Sequence, residues 1–501
     1  MLNLVLESLA VVTAIMYLIL AAKEDVRCWY AALISSCLYI YIMFQAGLYM
    51  ESLLQIFYVL MAAYGWLKWK NIFKNEFKKK EVWLNAYPIF LWLISEPLVG
   101  LIDSKIASYI DIDVLSAVGI GETIYFVFIW IFIFLAYGTT PYVSSLQATN
   151  QLDKLNYFIS FGRKSSVLIG IVSAGLLILV SSQLINFFEP TTNVSSKSIS
   201  YLILRSLGLP FYLLNMHSTA VLRGMKYPKI TLYSSVIVGV SNVALSYFLG
   251  IVLNLGIEGI AVSSSIAFLI SSIYSTKVLI DTQIQTSNFV ISKDKKEISK
   301  KFFSVGFFIF IRSMFLTLFM AYLRNRASLM SMSEIALQHV LLQLWSFGYV
   351  FVDALAIAAQ TLVAEYKAKF NLYKNSELKK YLNSLTLKIA VFLFIISFIF
   401  LDNMVLGITE VSLVSLIDIE LKILFAFSLL IGSFAFLWDG VLLGLDKSRQ
   451  FSTLTIVSSI AGFLTCTYLL TKNNSLSSLW IGLNVSLLSR ALLGFYHQIE
   501  D

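Results

Sequence analysis

The sequence predicts an all-α polytopic membrane protein: two six-helix lobes preceded by a three-helix membrane unit, about 15 spans in total. Three observations carry that prediction. Hydrophobic residues make up 58% of the 501-residue chain and charged residues only 13%, with a mean hydropathy of +0.81. A soluble domain runs nearer a quarter charged, and a disordered chain is the compositional opposite of this one. The apolar residues fall into runs of roughly 20, the length that crosses a bilayer as a helix. There are only six prolines, none after Pro228, which suits long helices rather than turn-rich β structure.

Taken in order, residues 1–70 hold three apolar spans, near 4–22, 28–46 and 53–69. The first lacks a basic leading region and a small-residue cleavage site, so it reads as a retained span rather than a signal peptide. Lys68, Lys70, Lys74, Lys78, Lys79 and Lys80 mark a basic linker over 71–82. An N-lobe of six spans follows over 83–281, then a charged loop at 282–301, then a C-lobe of six spans over 302–501. Lys and Arg accumulate in alternate loops, as at Arg163 and Lys164, at Arg223, Lys226 and Lys229, and at Lys447 and Arg449. The loops between them are acidic or poor in charge, with Arg324 and Arg326 as the exception. By the positive-inside rule the linker and C-terminus are cytoplasmic and Met1 is outside, in what reads as a bacterial inner membrane.

An internal repeat appears at an offset of 220 residues: A-V-L-R-G at 220–224 aligns with G-V-L-L-G at 440–444, and Val143 aligns with Val363. Two parallel half-bundles of this kind are the plan of many secondary transporters, with the site near mid-membrane. The charge of +8 is spread over loops and reads as topology, not as a nucleic-acid footprint. Cys28, Cys37 and Cys466 fit neither a zinc site nor a disulfide framework, and His217, His339 and His497 are too scattered for a metal site. There is no Walker A pattern or Gly-rich loop, which disfavours an ATP-driven pump. No catalytic residue, metal or cofactor is assigned beyond H⁺ or Na⁺ as a coupling ion.

The stretch E-P-L-V-G-L-I-D-S-K-I-A at 96–107 resembles the first helix of multidrug and toxic compound extrusion (MATE) transporters, nearest their DNA-damage-inducible protein F branch. F-L-A-Y-G-T-T-P-Y-V (134–143), Y-L-I-L-R-S-L-G-L-P (201–210), V-D-A-L-A-I-A-A-Q-T-L-V-A (352–364) and W-D-G-V-L-L-G (438–444) resemble later helices in the same order, so the resemblance spans about 83–500. Residues 1–70 carry a second one. F-Q-A-G-L-Y (44–49), L-L-Q (53–55) and Y-G-W-L-K-W (64–69) look like one three-helix repeat of the nicotinamide riboside transporter (PnuC) family, whose members pair two such repeats.

Ionisable side chains inside membrane helices cost about 2.5–3.5 kcal/mol each, so they are the functional candidates. The MATE resemblance makes Asp103 the protonation or cation site, with Asn242 beside it and Pro88 as the first-helix bending point. The bland reading of Asp103 is a helix cap at the interface; that of Asn242 is an interhelical hydrogen bond. Where the family pattern has an aspartate after that asparagine, this chain has Ser246, which weakens the case for sodium. Asp439 is the second coupling candidate. Glu96, Gln338, Gln343 and Asp353 are candidates for the substrate cavity; Glu96 could equally serve a kink at Pro97, and Asp353 a static pair with Arg312. Glu122 reads as interfacial, and Arg205 with Pro210 as setting helix packing and a kink. Gln45, Gln55, Tyr58, Trp66 and Trp69 are ligand candidates in the N-terminal unit, against the alternative of an interfacial aromatic belt for the tryptophans.

The expected function is ion-coupled antiport, exporting organic, amphipathic or cationic small molecules by alternating access of the two lobes. The expected partners are the lipid bilayer and a small organic substrate, without nucleic acid, and with dimerisation through the N-terminal unit as an option. The rival readings are nicotinamide riboside transport through the N-terminal unit, a lipid-linked saccharide flippase, and a non-transporting scaffold. The flippase would need a cavity rich in Arg and Lys, and the sequence offers only Arg205 and Arg312 as mid-helix cations.

Overall fold

The computed structural model describes residues 2–22, 27–75, 77–188, 191–282, 292–327, 329–370, 372–407 and 411–499, and these are all-helical, without strands. Helices α1 (Leu2–Ala22), α2 (Cys28–Gln45) and α3 (Tyr49–Asn75) form the N-terminal unit. The first lobe holds α4 (Phe77–Ile110), α5 (Ile112–Ile131), α6 (Phe134–Tyr137), α7 (Thr139–Ala148), α8 (Leu152–Asn186), α9 (Thr192–Ser206), α10 (Leu209–Gly224), α11 (Pro228–Leu245) and α12 (Gly256–Thr282). The second lobe holds α13 (Ser292–Ala327), α14 (Met332–Ala368), α15 (Leu372–Leu406), α16 (Val411–Val414), α17 (Ile419–Gly444), α18 (Ser448–Lys472) and α19 (Leu476–Ile499).

Among the described residues, ten helices are long and apolar enough to cross a membrane, or twelve if each bent pair is one span. The chain is an integral membrane protein. The fifteen spans read from the sequence add α1, whose described apolar stretch is only Leu6–Ala21, and α3 and α4, parts of whose side chains lie outside the described residues. The basic linker is not an open loop. Helix α3 runs to Asn75 and α4 starts at Phe77, because Lys- and Glu-rich sequence is good helix-forming material. The same holds for residues 292–301, which form the start of α13.

The bends fall where the sequence breaks the helical ladder. Helices α9 and α10 meet at 47°, across Leu207 and Gly208 and just ahead of Pro210, whose ring cannot donate to the preceding turn. This is the kink expected at Pro210. A Cβ on Gly170 would lie 2.4 Å from the Pro210 Cα, so α8 crosses the bend in close contact. Helix α11 continues into a π-helical turn over 246–252, directly after Asn242. Pro88 is buried inside α4, which runs unbroken through it.

The 220-residue repeat extends to the backbone itself. Lys226 (φ 66°) and Asp446 (φ 59°) are left-handed at equivalent positions, and so are Asn150 (φ 55°) and Phe370 (φ 53°). After α10 the Tyr227 amide bonds back to the Leu222 carbonyl, and after α17 the Lys447 amide bonds back to Leu442. Each of these helices ends on a glycine pressed against the equivalent valine. A Cβ on Gly224 would lie 2.8 Å from the Val143 Cβ, and one on Gly444 would lie 2.8 Å from the Val363 Cβ.

The lobes meet at one end of the bundle, the end where α3 and α4 join. Val82 and Ala86 of α4 enter the core of the second lobe, and Ile298 and Phe302 of α13 enter that of the first. Ile89 packs with Ala354 and Ile357, and the rings of Phe90 and Phe351 stack 4.0 Å apart. The Ser144 hydroxyl donates to the Thr361 carbonyl at 2.7 Å. At the opposite end the clusters around Ile106, Val118 and Ile257, and around Tyr125 and Leu177, are built by the first lobe alone.

The N-terminal unit lies outside both lobes and touches each. The Tyr17 and Tyr87 hydroxyls hydrogen-bond, joining α1 to α4. Phe57 of α3 stacks on Phe392 of α15 with centroids 5.4 Å apart, and Met50 lies against Gly407.

Filling the repeated contact should be costly at either position. Gly444→Val is expected to lower stability by about 1–3 kcal/mol through overpacking against Val363. Gly175→Ala, whose Cβ would meet nothing within 4 Å, should leave stability unchanged. Thermal unfolding in detergent compares the two, and equal melting points would remove the packing argument.

Candidate functional site

In the first lobe α4 brings Asp103 to a pocket of polar side chains from α11 and α12. Asp103 is only 2% exposed. Its carboxylate accepts from the Asn242 amide and, at 3.0 Å, from the Ser246 hydroxyl, which is itself 2.6 Å from the Ser263 hydroxyl. Asn242 and Ser246 are four residues apart and so share a face. The helix-cap reading of Asp103 is therefore replaced by a buried, three-helix hydrogen-bonded carboxylate. Arg205 from α9 is also buried. Its guanidinium lies 4.9 Å from the Tyr125 ring centre and interacts electrostatically with Glu122 and Asp103. Glu122 is thus not an interfacial residue. It is half-buried in this same cluster, with the Tyr201 hydroxyl 3.4 Å away.

The second lobe builds a different centre. Asp439 on α17 is buried and accepts from Arg490 of α19, whose Nε is 3.3 Å away, and from Arg312 Nη2 of α13 at 3.3 Å. Arg312 therefore pairs with Asp439, not with Asp353 as the sequence suggested. Asp353, half-buried on α14, interacts with Arg490 and Arg312 through space. Across the lobe boundary Tyr137 is within electrostatic reach of Asp353, Arg312, Arg223 and Arg490. Arg223, read as a loop cation, is 3% exposed and has its guanidinium 4.9 Å from the Trp92 ring centre. The sequence counted two mid-helix cations; the structure buries four, adding Arg223 and Arg490. Arg490 sits inside the apolar run 477–496, and that signal was available.

Where the lobes touch, ion pairs span the boundary. Lys226, in the turn after α10, contacts Glu81 of α4 and, at 2.5 Å, Glu365 of α14. The Tyr366 hydroxyl donates to Glu81 at 2.9 Å, and Lys369 pairs with Glu365 at 2.6 Å. Burial alone would lower the Lys226 ammonium, but its hydrogen bonds to Glu365 and Glu81 outweigh that and hold it above the ordinary lysine value.

Other candidates are dispersed. The Gln338 Oε1 accepts from the Trp480 indole at 2.9 Å, inside the second lobe. Gln343 is exposed and bonded to His339 at 2.8 Å. In the N-terminal unit Gln45 and Tyr58 are exposed, Gln55 is half-buried, and Trp66 lies 6.0 Å from the Tyr30 ring. A groove there is lined by Leu6, Leu33, Ile34, Cys37, Leu38 and Tyr41 and by none of the expected ligand residues. The side chains of Glu96 and Trp69 lie outside the described residues. No group of three or more His, Cys, Asp or Glu able to hold a metal occurs among the described residues.

Residues 88–248 match the MatE family model. The chain is 26% identical over 336 residues to Protein DETOXIFICATION 42 of Arabidopsis thaliana, covering 66% of this chain and 63% of that protein, so it spans less than two thirds of that relative. It is 21% identical over 425 residues to DNA damage-inducible protein F of Escherichia coli, covering 82% and 90%. A MATE transporter structure from Vibrio cholerae superposes with a TM-score of 0.75 at 16% identity, over 84% of this chain and 95% of that one. The large bundle has the MATE fold. Residues 4–161 also match the nicotinamide mononucleotide transporter model, well past the three helices that carried that resemblance in the sequence and into the MATE-like bundle. Against the MATE pattern, Ser246 still reaches the carboxylate of Asp103 with its hydroxyl, so the polar pocket is closed without a second acid.

Breaking the second-lobe pair from one side should be expensive. Arg490→Met leaves Asp439 to Arg312 alone and is expected to cost about 3 kcal/mol. Adding Asp439→Asn should recover part of that loss. Thermal unfolding reads both variants, and an unchanged melting point for Arg490→Met would mean the cluster is solvated.

Proposed function

We propose that this chain is an ion-coupled secondary antiporter that exports amphipathic organic molecules by alternating access. The observation that carries this reading is Asp103, a buried carboxylate on a MATE-like first helix, held by Asn242 and Ser246 and set off from solvent. A proton at that position changes which of these neighbours donates and which accepts, and so biases the packing of α4 against α11. The Ser246 hydroxyl where the family pattern has an aspartate, with Glu122 of the same cluster facing the Arg205 charge, favours H⁺ over Na⁺, because oxygen-ligand cation sites depend on carboxylates.

Among the described residues, the packing and hydrogen bonds between the lobes described above gather at the end where α3 and α4 join, which supports a state open at the other. With the positive-inside orientation, the closed end is cytoplasmic and the open end faces outward. Lys226, bridged by Glu81 and Glu365, ties the closed end, and these contacts must part for the lobes to rock. This is a rigid-body transition of the type expected for repeat-built transporters.

Asp103→Asn is expected to abolish efflux driven by an imposed pH gradient in proteoliposomes while leaving expression and membrane insertion intact. Wild-type transport in that variant would refute the coupling role. The same assay with a sodium gradient separates the two ions.

The closing contact has its own signature. Lys226→Ala should lengthen spin-label distances between the lobes at the linker end. Because the Lys226 ammonium is held above its ordinary value, its contribution is complete at lower pH and is lost only as pH rises through that raised value. Wild-type distances should therefore stay constant from mildly acidic to mildly alkaline solution. Widening near neutral pH would show that another group controls the closure.

A further inference from the structure

Between the lobes, at the end where they touch, lies a cavity of about 370 Å³. That is within the range that accepts a small organic ligand. Its walls are largely aromatic and aliphatic, with Phe134 and Tyr142 from the first lobe and Phe302 and Phe370 from the second. Its lining carries two cations and one acid. Lys301 and Lys367 line it. Lys301 Nζ is 2.6 Å from Asp446 and 4.6 Å from the Tyr142 ring centre, and Lys367 Nζ donates to the Leu445 carbonyl at 2.5 Å. An ammonium has three donors, so each lysine keeps two for another acceptor.

Tyr137 lines the cavity and is within electrostatic reach of Arg223, Arg312, Arg490 and Asp353. Nε and Nη1 of Arg223 and Nε of Arg312 are buried without a hydrogen-bond partner, an arrangement that is expensive in an apolar bundle. Glu297, Asp446 and Asp294 lie within electrostatic reach of the lining through Tyr142, while the charges on the lining itself are Lys301, Lys367 and Asp446. Ser448, the first residue of α18, also lines the cavity. Helices α14 and α17 also end here, and the last carbonyl of α17's turn is the one Lys367 takes.

We propose that this inter-lobe cavity binds an amphipathic organic anion, with a carboxylate or phosphate head at Lys301 and Lys367 and an apolar body among the aromatic rings. The exposed Asp446 on the lining is already paired with Lys301, and the buried Asp439 is paired with Arg312 and Arg490. The proposal concerns binding and stands independently of coupled export.

The test uses the full chain in nanodiscs of phosphatidylcholine and two probes with the same tail and opposite heads, radiolabelled decanoate and decyltrimethylammonium. Decanoate should bind saturably, and decyltrimethylammonium should displace it only at concentrations at least about tenfold higher than unlabelled decanoate requires. Lys301→Gln with Lys367→Gln should weaken decanoate binding by about tenfold or more, since two charge-assisted contacts are removed. The paired Lys→Arg variant keeps the charge and should keep the binding, which separates the effect from misfolding. Adding phosphatidylglycerol to the disc distinguishes the sources. Competition with decanoate supports the proposal with a lipid headgroup as occupant, and decanoate binding undisturbed by it supports the proposal with a soluble anion. Displacement by the cation as readily as by decanoate would overturn the proposal, as would wild-type affinity in the Gln pair.

Discussion

A charge inside a lipid-solvated bundle has no water to fall back on, and the architecture follows from how each one is answered. Asp103, Asp439, Arg205, Arg312 and Arg490 would each be costly alone. Each lies within reach of an opposite charge supplied by another helix. The polar contacts therefore choose which helices are neighbours. Asp103 ties α4 to α11, and Asp439 ties α17 to α13 and α19. Apolar packing alone discriminates poorly here, because lipid tails and leucine side chains are equivalent surroundings.

The two lobes repeat a backbone, not a chemistry. The left-handed residues, the helix-ending glycines and the valines beneath them recur at one offset, and they set the turns at the end where the lobes touch. The polar centres do not recur. The first lobe holds a carboxylate in a cradle of amide and hydroxyl groups, with an arginine nearby. The second holds a carboxylate between two guanidinium groups. In the first, most donors around the acid are neutral, so its protonation need not break an ion pair with Asn242 or Ser246. In the second, both oxygens already accept from permanent cations.

Much of this was legible in the sequence. Composition and hydropathy give the membrane bundle, and the pairing of Ala220–Gly224 with Gly440–Gly444 gives the repeat, because the close Gly–Val contacts constrain residue type locally. Asp103 stood out because charges in apolar runs are rare. The kink at Pro210 followed from local chain chemistry. What failed depended on three-dimensional neighbours. Arg312 found Asp439 instead of Asp353, since the choice between two acids lies with helix rotation. Arg223 looked like a loop cation because it stands one residue before the end of its helix, and only the packing of α4 over it, through Trp92, buries it. The linker became helix because lysine-rich sequence marks a membrane boundary and forms helix equally well.

The N-terminal unit grips α4 of the first lobe through Tyr17 and Tyr87, and α15 of the second through Phe57 and Phe392. It therefore sits astride the seam like a strap across a hinge. In the alternating access proposed above, the lobes would carry these three helices with one of them and slide them over the other. The unit meets α4 through the chain connection after α3 and the hydroxyl pair, and α15 through the ring stack and the contact of Met50 with Gly407. For lobes that rock as proposed, the extra helices would act as a load carried across the seam, its size set by the side chains that meet α4 and α15.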